Sequence, residues 1–108
     1  MISAAEDSHN ADMTIYAVQY TYDDRSAARD EVRPEHRAYL RGLAEHGTLL
    51  GSGPFTDGEP GALLILQAQD AWTIDTLLAD DPFAREGLIA RTVVRQWDIV
   101  IGAWARDA

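Results

Sequence analysis

The chain has 108 residues, 46% of them hydrophobic, and its 18 acidic residues against nine basic ones give a formal net charge of -9. This length and composition predict one folded, soluble domain, because two half-length domains could not each hold a core. A surface of negative sign repels phosphate backbones and anionic lipid headgroups, so the charge argues against nucleic acid and membrane partners.

Membrane insertion and secretion also lack support in the sequence. The longest apolar run, Ala62 to Leu66, is far shorter than the roughly 20 residues that span a bilayer. The first residues have neither a basic start nor an apolar centre, as a secretory signal would. The absence of cysteine excludes disulfides, thiolate catalysis and cysteine-based zinc sites. These features favour a cytoplasmic location.

The N-terminal part divides into a tail and a first strand. Residues 1–12 are rich in Ser, Ala, Asp and Asn and show no periodicity, so we expect a flexible extension ahead of a single domain at 13–108. From Thr14 to Tyr22, β-branched and aromatic residues predict the first strand. A polar connection follows, in which a short helical turn at Ser26–Asp30 remains open.

A helix is predicted from about Pro34 to His46. Proline suits the first turn of a helix, where its missing N–H leaves nothing unpaired, and Gly47 suits the residue after the end. One face of this helix recurs every three or four positions, and His36 shares it with the apolar residues Tyr39, Leu40, Leu43 and Ala44. The imidazole of His36 is therefore expected on the core side.

A hairpin and a second helix follow. Thr48–Phe55 predicts a strand whose later half, rich in glycine, loosens into a loop. The turn at Asp57–Gly61 leads into a strand at Ala62–Gln69. Asp70 is a candidate N-cap for a helix at about Ala71–Asp80.

Asp81 continues the apolar stripe of that helix, and Pro82 ends it. After a bridge at Ala84–Ala90, the pattern predicts a final strand from Arg91 to about Trp104. The order β-α-β-β-α-β predicts an α+β, ferredoxin-like fold with two helices on one face of an antiparallel sheet.

The predicted third strand carries apolar side chains on both faces. Ala62, Leu64 and Leu66 alternate with Leu63 and Ile65. Since the helices can cover only one face, we expect a second copy to cover the other, which gives a homodimer packed sheet to sheet.

His36 and Asp81 are the candidate catalytic residues. An imidazole exchanges protons near neutral pH, although position alone favours a structural histidine, because buried polar groups are normally paired. Asp81 changes the balance, since a carboxylate on a core face needs a partner or a solvated cleft. Pairing one imidazole nitrogen with it would leave the other free for proton transfer. The alternative for Asp81 is a helix-ending Asp-Pro turn.

Four further residues are candidates for substrate binding: Arg33, Ser52, Gly53 and Phe83. Arg33 suits a carboxylate or phenolate, although a solvated charge is the simpler interpretation. The glycines could present backbone N–H groups to an oxyanion, whereas Ser52 lacks the spacing of a nucleophile. Phe83 equally suits core or interface packing. No metal-ligand spacing is present, so we expect no metal site.

From Met13 to about Ala105 the chain carries a series of short motifs: Arg33-Pro34-Glu35-His36-Arg37-Ala38-Tyr39-Leu40, Gly47 to Leu50, Gly51-Ser52-Gly53-Pro54, the hairpin with Gly61, and Asp81-Pro82-Phe83 with Gly87. Their order and spacing resemble the YciI-like (YCII-related) proteins. The resemblance implies a ferredoxin-like, dimeric α+β barrel with His36 and Asp81 as the active-site pair. It also implies elimination of the dehydrochlorinase type on small ring substrates, in a family whose members mostly lack an assigned reaction.

Two classes of function fit these features. The first is a cofactor-independent small-molecule lyase or isomerase, in which His36 moves a proton, Asp81 orients it and N–H groups near Gly53 steady negative charge. The second is a non-catalytic module that binds a small ligand in the same pocket or serves as a dimeric interaction partner. For both we expect no cofactor.

Overall fold

The computed structural model describes residues 13–105, so the extension predicted for residues 1–12 lies outside the described part. In this part the strands are β1 (Thr14–Tyr22), β2 (Leu49–Pro54), β3 (Gly61–Ala68) and β4 (Ile89–Gln96). The helices are α1 (Ser26–Glu45), α2 (Ala71–Ala79) and the single turn α3 (Pro82–Arg85).

The strands form one antiparallel sheet in the order β2-β3-β1-β4. β1 lies inside the sheet, where Val18 stands opposite Leu64 of β3 and Val94 of β4. This order, with the two longer helices in the two crossover connections, confirms the predicted ferredoxin-like α+β fold.

The core lies between the helices and one face of the sheet. Alternate residues of β1 and β3 face it, as a two-residue strand repeat requires, and α1 and α2 cover it with Leu40, Ile74 and Leu78. Each fully buried side chain of this kind contributes about 1.5–3 kcal/mol. Within residues 13–105, no helix is both long and apolar enough to cross a bilayer.

Helix α1 begins at Ser26, about two turns before the start predicted at Pro34. The proline signal was wrong because Pro34 is exposed on the outer face of the helix, where its missing N–H removes only one helical hydrogen bond. Buried residues on the opposite face, before and after Pro34, keep both parts of the helix packed on the core. Arg29 anchors the added turns, since its buried side chain donates to the carbonyl oxygen of Asp23 at 2.8 Å. The helix ends where predicted, with Gly47 at a φ of 80°.

The hairpin of β2 and β3 is more regular than the sequence suggested. The predicted loop in the later half of β2 was wrong, because Gly51 and Gly53 both pair with β3, after a register shift between Leu49 and Gly51. At the start of β3 the chain passes very close to β1. A Cβ on Gly61 would lie 2.3 Å from the carbonyl oxygen of Tyr20, so only glycine fits there.

β4 ends at Gln96, whereas the sequence pattern predicted a strand from Arg91 to about Trp104. The predicted end was wrong because a strand needs a paired neighbour, and β1 starts at Thr14. The Trp97 N–H still donates to the carbonyl oxygen of Ile15 at 2.8 Å, and the chain then leaves the sheet.

The segment after β4 reaches the sheet face opposite the helices. Gly51 shares that face with its partner Ile65, and a Cβ on Gly51 would lie 3.5 Å from the Trp104 ring. Ile65 is only 4% exposed, although the helices cannot cover it. The chain's own C-terminal segment thus covers part of the face for which we predicted a second copy. Leu63 on the same face is 36% exposed, and the homodimer stays a prediction.

Candidate active site

His36 and Asp81 meet beneath α1. His36 lies on the buried face of that helix, and Asp81 is the N-cap of α3. The imidazole Nδ1 and the carboxylate Oδ1 are 2.7 Å apart. The sequence placed Asp81 on the stripe of α2, but α2 ends at Ala79, and the turn between the two helices carries the carboxylate into the core.

The carboxylate of Asp81 is fully buried and accepts three hydrogen bonds. Oδ1 accepts from His36 Nδ1 at 2.7 Å and from the Phe83 backbone N–H at 3.0 Å, and Oδ2 accepts from the Tyr20 hydroxyl at 2.8 Å. Burying a carboxylate without partners costs several kcal/mol, so these donors are what allow it to lie in the core. They also tie β1, α1 and α3 together.

This arrangement fixes the tautomer of His36. Because the carboxylate accepts at Nδ1, the proton of the neutral ring resides on Nδ1, and Nε2 keeps its lone pair. Nε2 has no hydrogen-bond partner within the described residues, and no buried polar side-chain atom there lacks one, so Nε2 is open to solvent. A nitrogen with a free lone pair and an oriented ring can accept a proton from a bound molecule.

Aromatic packing holds the imidazole plane. The rings of His36 and Phe83 stack with centroids 3.9 Å apart and an angle of 4° between their planes. Phe83 in turn meets Tyr22 edge to face at 5.6 Å. The guanidinium of Arg29 lies 4.7 Å from the centre of the Tyr22 ring, a cation–π distance. The stack therefore restrains the face of the imidazole ring, whereas Asp81 restrains its Nδ1 edge.

The two tyrosines near Asp81 remain neutral at physiological pH. Burial, with the neighbouring carboxylate as the next cause, raises the pKa of Tyr20 far above its usual range. The same two causes raise the pKa of Tyr22 to about 12. Tyr20 therefore acts as a hydrogen-bond donor to Asp81 and not as a second base.

A cavity of about 400 Å³ opens beside His36, between α1 and the β2–β3 hairpin. Small-ligand sites commonly have volumes of roughly 300–1,000 Å³. Its apolar wall comes from α1, α3 and the sheet: Leu40, Leu49, Pro54, Ala62, Leu64 and Phe83. The site thus combines a proton-accepting nitrogen with room for one small molecule.

The sequence of residues 13–98 matches the model of the YCII-related domain. The chain belongs to the YCII-related family. The family that the sequence motifs resembled is thereby confirmed. No curated protein sequence matches this YCII-related chain.

Solved structures support the fold of this YCII-related protein. One similar structure is 5-chloro-2-hydroxyhydroquinone dehydrochlorinase (TftG) from Burkholderia phenoliruptrix AC1100 in complex with 2,5-dihydroxybenzoquinone. It has a TM-score of 0.69 and 24% identity, over 77% of this chain and 92% of the dehydrochlorinase. An antibiotic biosynthesis monooxygenase has a TM-score of 0.52 and 18% identity, over 82% of this chain and 99% of its own.

All four residues that the sequence suggested for substrate binding line the cavity: Arg33, Ser52, Gly53 and Phe83. Phe83 also has the packing role that the sequence left as the alternative. Its ring stacks on His36, and its backbone N–H donates a hydrogen bond to Asp81. Ser52 lies in β2 opposite Leu64, with no hydrogen bond to His36 and no helix after it, unlike a nucleophile turn. Their roles in binding stay predictions.

Sequence reasoning missed the two other charged cavity residues of the YCII-related chain, Arg37 and Arg41. Both lie on α1 beyond Arg33, one and two steps of four residues along the helix. That spacing is visible in the sequence, but our argument followed only the apolar face of the helix. It also missed Tyr20, whose contact with Asp81 joins residues 61 positions apart.

The sequence predicted no metal site in the YCII-related chain, and without cysteine the side chains that could form one are His, Asp and Glu. Residues 13–105 contain no cluster of three or more of them that could hold a metal ion. The contacts of Asp81 are hydrogen bonds from protein donors.

Proposed function

We propose that this protein is a small-molecule lyase or isomerase in which His36 Nε2 removes a proton from a substrate bound in the cavity. The observation that carries the proposal is the fixed imidazole. Its Nδ1 is held by a fully buried carboxylate, its other nitrogen has no protein partner in the described residues, and the His36 side chain lines the cavity. General bases of this kind contribute typically 10²- to 10⁴-fold to a rate.

The proposed step conserves atoms and charge. A C–H or O–H bond of the substrate breaks, its proton goes to Nε2, and its electron pair forms a new double bond. In a lyase a leaving group such as chloride departs with the displaced electrons, and in an isomerase the proton returns at another atom. Asp81, which accepts from Nδ1–H, stabilises the imidazolium that forms.

Elimination is the specific reaction that the comparisons favour. The similar dehydrochlorinase is named for the loss of HCl from a chlorinated hydroxyhydroquinone, and its structure holds a dihydroxybenzoquinone. The cavity of about 400 Å³, with an apolar wall, suits a single ring of that size.

Chloride release tests the proposal directly. The purified protein is incubated with 5-chloro-2-hydroxyhydroquinone under anaerobic conditions, and free chloride is measured over time. The asparagine in His36→Asn has a side-chain amide that can still donate a hydrogen bond to Asp81, but it has no basic nitrogen. We expect its rate to fall by about 10²- to 10⁴-fold while far-UV circular dichroism stays unchanged. Equal rates for both proteins would refute proton transfer by His36.

A binding module without catalysis is the alternative for the same cavity. It predicts that ring ligands bind and perturb the His36 ring resonances in an NMR spectrum. It also predicts no chloride release and no exchange of substrate hydrogen with deuterated solvent. Exchange that depends on His36 but gives no chloride would instead favour an isomerase.

We propose further that two copies associate through the sheet face opposite the helices. That face and the segment crossing it expose several large apolar side chains: Leu63, Trp97, Val100, Ile101 and Trp104. Patches of this kind usually mark an interface. Light scattering at micromolar concentration should give twice the mass of one chain, and Ile101→Asp should reduce it to one. A wild-type mass of one chain would refute the dimer.

A further inference from the structure

The α1 wall of the cavity is positively charged, whereas the protein as a whole has a net negative charge. Arg33, Arg37 and Arg41 line it, and among the described residues that form its surface none is an aspartate or glutamate. The whole chain, by contrast, has 18 acidic residues against nine basic ones. One third of its basic residues therefore line one small cavity in an otherwise acidic protein.

The three arginines belong to a longer row. Arginines recur at every fourth position along α1 and at the residue before it: Arg25, Arg29, Arg33, Arg37 and Arg41. A four-residue step advances about 6 Å along a helix and rotates by about 40°, so the row winds slowly around it. The row thus runs from Arg25 past the Arg29–Tyr22 contact to the three arginines that line the cavity.

Acidic partners neutralise only the N-terminal part of this row. Asp23 pairs with the first two arginines, and Asp30 pairs with Arg33. Arg37 and Arg41 form no ion pair within residues 13–105, and both are exposed at the cavity. Like charges four residues apart on a helix repel each other, so the two unpaired guanidinium groups leave the empty helix less stable than a neutral one.

We propose that the cavity selects a small cyclic organic anion, whose carboxylate or enolate is bound by Arg37 and Arg41. The guanidinium group matches these planar anions because it can donate two parallel hydrogen bonds. The ring of the ligand lies against the apolar wall, with its reactive C–H or O–H towards His36 Nε2. This inference rests on the proposed function, since it assigns the substrate class of the same site.

Two ligands that differ by one charge test the inference. They are 2,5-dihydroxybenzoate and 2,5-dihydroxybenzamide, which share the ring and both hydroxyls. Isothermal titration calorimetry should show tighter binding of the acid to the wild-type protein. Arg37→Gln and Arg41→Gln should each weaken binding of the acid by about tenfold, as expected for loss of a charge-assisted hydrogen bond, and leave the amide unchanged.

Arg91→Gln is the matched control. It removes the same charge from an exposed position on β4, away from the cavity lining, so binding of the acid should not change. The inference is overturned if acid and amide bind alike, or if both cavity variants bind the acid as tightly as Arg91→Gln does. Weakening of the amide by the same factor would also overturn it, because the arginines would then act by shape and not by charge.

Binding and turnover fail separately in this design. Acid binding that depends on Arg37 and Arg41, without any turnover dependent on His36, supports the inference and refutes the proposed function. Turnover of neutral rings that depends on His36 and not on the arginines supports the proposed function and refutes the inference.

Discussion

Replacing Tyr20 by phenylalanine removes a single oxygen atom from the centre of the site. That oxygen donates to Oδ2 of Asp81 at 2.8 Å, and Asp81 has an exposure of 0%, so water cannot take its place. A hydrogen bond to a charged group contributes about 1.5–3 kcal/mol, and the retained ring leaves no large cavity. We expect Tyr20→Phe to lower the free energy of unfolding by that amount, from a total that is typically about 5–15 kcal/mol.

Urea denaturation followed by far-UV circular dichroism measures this change, and the slope of the transition should not alter. Tyr16→Phe is the matched control. Tyr16 lies on the same strand and face with 3% exposure against 2% for Tyr20, but its hydroxyl makes no hydrogen bond within the described residues. Its loss should cost less than about 0.5 kcal/mol. If the two variants unfold within about 0.5 kcal/mol of each other, the hydroxyl does not stabilise the carboxylate and the reasoning fails.

Three further predictions concern single positions. Gly61→Ala places a Cβ 2.3 Å from a backbone oxygen and should destabilise the fold by about 1–3 kcal/mol in urea. Gly53→Ala, with no atom within 4 Å, should leave the transition within about 0.5 kcal/mol, and an equal loss in both would contradict a local clash. Asp81→Asn should slow chloride release by about two orders of magnitude, because an amide does not stabilise the imidazolium; an unchanged rate would remove Asp81 from the mechanism. The pKa of Tyr22 lies at about 12, above the value of about 10 in an unfolded chain. Its contribution to stability is therefore complete below pH 10 and is lost as the pH rises through 12, and the difference in tyrosinate absorbance between wild type and Tyr22→Phe should show ionisation near 12, not 10.

The sequence predicted elements well where local chemistry decides them. β-Branched and aromatic residues defined β1, and Asp70 caps α2 by accepting a hydrogen bond from the Thr73 N–H at 2.8 Å. The sequence predicted element boundaries wrongly where tertiary contacts decide them. The start of α1 depends on the buried Arg29, which no local signal shows, and it outweighs the proline signal. The end of β4 depends on how far its neighbour extends, so an apolar run up to Trp104 could not define it.

The candidate site shows the same division. The helical repeat correctly placed His36 on the core side, because the period of one helix is a local property. Asp81 reached the core for a different reason from the one assumed, since it caps α3 and does not extend α2. The hydroxyl of Tyr20 could not be assigned to Asp81 from the sequence, because that contact depends on how α3 sits above β1.

The contacts of Asp81 make the fold and the proposed chemistry depend on each other. One carboxylate joins β1, α1 and α3, and the same carboxylate sets the tautomer of His36. A substitution of Asp81 therefore changes stability and proton transfer together, and a loss of activity alone cannot assign its role. Arg37 separates the two effects, because its side chain lines the cavity and forms no ion pair within the described residues that would hold another element in place. Substitutions that lower turnover or anion binding while the urea midpoint stays constant would thus locate function in the cavity itself.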